Sequence, residues 1–242
     1  MELKDNQQAA WRVDPQKNER GGSFCDIGTH AYHLAGYVTG LKAESIAADL
    51  ATFVEGRALD DNAHVLIRYE GGACGMLWSS QVAIGCSNAL QLRVFGETGS
   101  LMWLQEQPNE LIYTALVGNT QIIKRGRNDL HPLTRQRTCT PPGHPEDYIE
   151  AFCNLYSGFA AALQARDIGL PLEGTASAVP LVADGLKGLA FVDAEVDKPR
   201  TRHRVDRAEI PLNSHRTGPS DVSGRYFATG SYSVNWSNTC QK

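Results

Sequence analysis

The sequence predicts an α+β domain: a large, mainly antiparallel sheet flanked by helices on one face. Seven segments alternate apolar and polar residues with a period of two, at 44–53, 63–69, 73–81, 90–95, 100–104, 110–116 and 120–124. Their connections are short and hold no helical pattern, which favours antiparallel pairing over crossover units. Three further stretches, at 26–39, 145–165 and 175–195, place apolar residues at helical spacing.

Gly21-Gly22 marks a turn, because glycine takes backbone angles closed to other residues. The run behind it, Tyr32, Leu34, Tyr37 and Val38, has helical spacing, and Gly40 suits the C-cap of a helix at 26–39. Beyond Gly40 the period changes to two. Glu70-Gly71-Gly72, Gly96-Glu97-Thr98-Gly99, Gln107-Pro108-Asn109 and Gly118-Asn119 then separate strands as turns. The helix at 145–165 starts past the Pro141-Pro142-Gly143 break and aligns Tyr148, Phe152, Leu155, Phe159 and Leu163. The helix at 175–195 aligns Val179, Val182, Leu186 and Leu189, and Pro180 moves its start a few residues on.

The α+β unit is expected to span residues 1–197. Residues 198–242 lose the amphipathic period, carry eight Lys/Arg against three Asp/Glu, and end rich in Ser, Thr, Asn and Gly. They read as a basic, poorly ordered tail. A reading-frame change ahead of the natural stop would leave the same kind of tail.

The 242 residues are 42% hydrophobic and 21% charged, the balance of a folded protein with a sizeable core. A net charge of −4 implies neither a nucleic-acid surface nor a polybasic membrane patch. No run approaches the ~18 apolar residues that a membrane span needs. Met1-Glu2-Leu3-Lys4-Asp5 holds no apolar signal core. Cys25, Cys74, Cys86, Cys139, Cys153 and Cys240 lack C-x-x-C spacing and read as free thiols, so a cytoplasmic protein is expected.

The segment richest in chemistry is Asp26-Ile27-Gly28-Thr29-His30. On a helix Asp26 and His30 are i and i+4, on one face. A carboxylate one turn from an imidazole can fix the ring's tautomer and raise its basicity, as proton transfer requires. An aspartate near a helix start is also a common cap, and charged i,i+4 pairs are common on solvated faces. Asp26, His30 and His33, with His64 or His144, are candidate metal ligands, but no spacing closes a set, and no metal is expected. Trp11-Arg12 offers an indole and a guanidinium to a polar ligand, or else anchors an edge loop. His144, ahead of Pro145-Glu146, either caps a helix or lines a cleft. No G-x-G-x-x-G follows a strand, and neither a P-loop nor a G-x-S-x-G elbow is present.

Together these residues resemble the C-terminal domain of the Gfo/Idh/MocA family of NAD(P)-dependent oxidoreductases. The family motif, a glycine run followed by D-x-G-x-H opening a helix, stands here as residues 21–30, with Ser23 in place of a third glycine. Trp11-Arg12-Val13-Asp14-Pro15 is similar to the W-R-x-D-P of members acting on sugars. The long sheet, the Gly96–Gly99 turn and the helix after Gly143-His144-Pro145-Glu146 follow in the family's order, over roughly residues 8–197.

The resemblance implies that substrate lies between a Rossmann domain and the sheet, with hydride passing between a sugar or polyol carbon and NAD or NADP. It implies His30 as acid/base, Asp26 as the group that orients and polarises the site, and Trp11, Arg12 and His144 on the substrate. It also implies a homo-oligomer paired through the open sheet face. The glycine loop and the E-K-P lysine of the Rossmann half are absent from this sequence. The chain is therefore expected to be silent alone, either as a truncated gene product or as half of a split enzyme whose partner is a separate Rossmann-domain chain. The alternative is a non-catalytic sugar-binding or scaffold protein that retains the fold.

Overall fold

The computed structural model describes residues 14–17, 21–174 and 178–196. Trp11, Arg12 and the expected tail at 198–242 lie outside them. Gly21 takes φ 129°, a left-handed conformation open to glycine, at the predicted hinge. A single π-helical turn, Phe24–Gly28, then leads into helix α1, Thr29–Thr39. The expected helix is therefore present, but its opening turn is π rather than α. Gly40 ends it at φ 68°, its N–H donating to the Gly36 carbonyl at 2.9 Å.

The strands are β1 (Ala43–Ala51), β2 (Asn62–Tyr69), β3 (Cys74–Ser80), β4 (Gln91–Phe95), β5 (Gly99–Leu104), β6 (Glu110–Ala115) and β7 (Thr120–Lys124). Each pairing is antiparallel. The ladders divide into a three-stranded sheet, β1-β2-β3, and a four-stranded sheet, β4-β5-β6-β7, where the sequence suggested one large sheet. Between β3 and β4 the chain leaves the extended region, with positive φ at Gly85 and Ala89.

The first sheet buries one face. Along β2, Ala63, Val65, Ile67 and Tyr69 point inward while His64, Leu66 and Arg68 point out. Over the inward face lie Phe24 of the π turn, Ala31 and Ala35 of α1, and Phe191 and Val192 of helix α4, Val182–Val196. Phe191 meets Phe24 at 4.8 Å and stacks on Tyr32 at 4.2 Å between ring centroids. The helix bearing Asp26 and His30 is thereby held between a sheet and a second helix.

Two more helices follow the second sheet: a short α2, Pro132–Gln136, which the apolar periodicity did not signal, and α3, Tyr148–Asp167. The predicted stripe on α3 is exposed except at half-buried Leu163, with Tyr148 at 66% and Phe159 at 53%, and only Gly158 of the helix is buried. Val182, Leu186 and Leu189 of α4 are exposed as well. These stripes find no cover among the described residues, whereas Phe191 and Val192 of α4 are buried in the core.

A polar knot fixes the start of α3. Arg125 donates to Glu146 Oε1 at 2.8 Å and to Asn109 Oδ1 at 2.7 Å, and Asn109 Nδ2 donates to the Glu146 carbonyl at 2.8 Å. Asp147 caps the helix, its N–H donating to Glu150 Oε2 at 2.9 Å in a capping box. Among the described residues, no helix is long and apolar enough to cross a membrane.

Candidate active site

Asp26 and His30 leave the core on the side of the turn away from the buried Phe24, Ile27 and Gly28. The sequence fixes that orientation, because the apolar residues of the turn take the sheet side. Asp26 sits in the π turn and His30 in the first turn of α1, and π turns recur at functional sites. Asp26 is half-buried and His30 opens to the surface.

Their electrostatics are coupled. Partial burial holds the His30 imidazole below its ordinary value of 6.5; the Asp26 carboxylate opposes that and His33 adds to it. The ring is therefore mainly neutral near pH 7, the form that accepts a proton. His33 is exposed and stacks on Tyr37 at 6.3 Å. Among the described residues, no three His, Cys, Asp or Glu side chains gather as a metal site. Cys74, Cys139 and Cys153 are in no disulfide among the described residues.

Below the pair lies a layer of buried polar groups that sequence reasoning did not single out. Asp60 and Asp61 are 2% and 0% exposed, and Ser23, Ser79 and Gln81 are buried with them. Asp60 Oδ1 accepts from the Gly22 N–H and Oδ2 from the Phe24 N–H, each at 2.7 Å. The Asp60 carbonyl takes the Ser23 N–H at 2.9 Å. Ser23 Oγ lies 3.3 Å from Ser79 Oγ, so the residue replacing the third glycine makes a contact of its own. Asp61 serves another loop, accepting from the Phe53 and Val54 N–H groups at 2.9 Å with Arg57 3.7 Å away. The only sequence signal was two adjacent aspartates ahead of a strand, which reads equally well as a solvated turn.

Trp11 and Arg12 lie outside the described residues. His144 is not the cap of α3, a place taken by Asp147. It is exposed on the loop ahead of that helix, with its carbonyl accepting from Thr140 Oγ1 at 2.9 Å and from Arg125. Its backbone hydrogen bonds are within this loop knot. His64 is exposed on β2 and stacks on Trp78 at 6.2 Å.

Residues 2–102, which include the hinge, the D-x-G-x-H turn and Asp60, match the family model described as the GFO/IDH/MocA C-terminal domain. The chain belongs to the Gfo/Idh/MocA family. An uncharacterized oxidoreductase, YfiI, from Bacillus subtilis is 35% identical over 161 residues, covering 65% of this chain and 40% of its own length. A crystal structure of an oxidoreductase from Sinorhizobium meliloti superposes with a TM-score of 0.65 at 44% identity, covering 71% of this chain and 48% of that one. An inositol dehydrogenase homolog from Azotobacter vinelandii, complexed with NAD+, gives a TM-score of 0.72 at 33% identity over 78% of this chain and 49% of that one. The same homolog complexed with NADH and myo-inositol gives 0.68, again at 33% identity, over 77% of this chain and 48% of that one. The chain thus spans about half the length of the Gfo/Idh/MocA structures it matches, and the α+β fold is the family's.

Proposed function

We propose that this chain supplies the substrate side of an NAD(P)-dependent dehydrogenase acting on a sugar, a polyol or a related hydroxyl compound. The observation that carries the reading is the Asp26–His30 pair on a turn pinned to the sheet, with a largely neutral imidazole beside a carboxylate. Oxidising an alcohol removes a proton from oxygen and a hydride from carbon. His30 takes the hydroxyl proton, and Asp26 stabilises the imidazolium that results. Burial around the turn keeps the ring unprotonated until substrate arrives. Trp11, Arg12 and His144 act as substrate contacts in this reading.

Residues 1–242 contain no glycine loop to cradle a dinucleotide's phosphates, so they do not fit the cofactor by themselves. A nicotinamide held by a Rossmann half, which would also bring a lysine, would supply hydride acceptance. The Azotobacter homolog with NADH and myo-inositol supports both the cofactor class and the substrate class. Uncovered apolar residues on the second sheet and its turns, Ile122 at 56% exposure and Leu116 at 75%, support pairing of two copies through that face.

The test is reconstitution. The chain is co-expressed with a Rossmann-domain chain carrying the E-K-P lysine, and cofactor binding is followed by calorimetry and turnover with myo-inositol and a panel of sugars. Silence of either chain alone, with turnover of the pair, is the expected result. Two folded chains that bind cofactor together yet turn over no substrate would leave the sugar-binding or scaffold role instead.

A further inference from the structure

The three polar oxygens of Asp60 all serve the hinge. Oδ1 holds the Gly22 N–H, Oδ2 the Phe24 N–H, and the main-chain oxygen the Ser23 N–H. These donors lie at the opening of the helical segment, where no intrahelical carbonyl can reach them. A carboxylate there is also favoured by the helix dipole. The fit is close: a Cβ on Gly22 would stand 1.9 Å from the Asp60 carbonyl oxygen. The next link is Asp26 itself, whose N–H donates to the Gly22 carbonyl at 3.0 Å. A chain of contacts thus runs from Asp60, on the loop leading into β2, through Gly22 to Asp26. A further polar tie, a neutral bond of 3.3 Å from Ser23 Oγ to Ser79 Oγ, joins the hinge to β3.

We infer that Asp60 is the positioning residue of the Asp26–His30 pair, setting from the loop ahead of β2 the height and rotation of the turn that presents both side chains to substrate. Asp60 is buried and acts only through the hinge; it does not reach the reacting atoms. The inference deepens the proposed function and rests on the reading of His30 as acid/base.

Asp60→Asn keeps the shape of the side chain but exchanges one acceptor for a donor, so one hinge N–H loses its partner. The variant is made in the full chain, and His30 is titrated by proton NMR. A loosened turn gives the ring back to water, so the midpoint rises toward the ordinary ~6.5. In the reconstituted two-domain enzyme the same variant lowers kcat about 10-fold or more, with a smaller change in KM, as misplacement of a catalytic group does. A folded Asp60→Asn chain with an unmoved His30 midpoint overturns the inference. Should that variant not fold, Gly22→Ala disturbs the same clamp from the hinge side and is read by the same titration. Loss of folding in both makes Asp60 a residue of overall stability and overturns the inference equally. If the wild-type pair shows no turnover, the acid/base reading fails, while the titration still decides the role of Asp60.

Discussion

Tyr32 stacks on Phe191 with ring centroids 4.2 Å apart and planes 11° from parallel. The contact joins α1 to the last described helix, and Phe24 closes the group from the π turn at 4.8 Å. Phe191 is fully buried. This aromatic cluster holds the back of the helix whose front carries Asp26 and His30.

Phe191→Ala empties the centre of that cluster. The cost expected for a buried phenylalanine is about 3–5 kcal/mol, transfer and cavity together. Urea unfolding of wild type and variant measures it. A loss under about 1 kcal/mol would mean that α4 does not pack as described.

The Arg125–Glu146 pair is the second structural lever. Their side chains are 16% and 8% exposed and 2.8 Å apart. Glu146→Gln leaves the guanidinium without its charge partner in a mostly buried site, and about 3 kcal/mol of stability is expected to go. The same measurement on Lys124→Ala, which breaks an exposed pair with Glu110, should show a much smaller change.

His30 gives the domain a pH dependence of known sign. Its folded-state value is lowered, so between that value and 6.5 the unfolded chain binds more protons than the folded one. Stability from this group is therefore whole above pH 6.5 and falls as the pH drops through the window. An NMR titration should place the His30 midpoint below 6.5, lower again in Asp26→Asn and higher in His33→Asn. A wild-type midpoint at or above 6.5 would contradict the packing around the ring.

The proposed acid/base role of His30 makes a prediction for activity. In the reconstituted enzyme His30→Ala is expected to lower turnover by about 10²-fold or more, with cofactor affinity unchanged. Near-normal turnover would remove His30 from the acid/base role.

Much of this architecture is legible in the chain itself. The seven strands lie within two residues of their period-two segments, because inward and outward side chains must alternate on a half-buried sheet. Gly40 marks the end of α1 because the left-handed C-cap conformation costs glycine least. Spacing also put Asp26 and His30 on one side of a helix, and the residues around them were enough to suggest the family.

What the sequence could not determine was decided by distance along the chain. The bond from the Gly22 N–H to Asp60 spans 38 positions, and no local pattern separates that aspartate from Asp61, which caps a different loop. The expected apolar stripes of α3 and α4 are both open to solvent, with Phe159 and Leu189 each 53% exposed, while Phe191, outside the expected stripe, is buried. Periodicity and backbone restriction act between neighbours, so they set elements and their ends. Which buried carboxylate meets which amide, and which apolar face is covered, depends on how the elements close over one core. Only the tertiary structure contains that.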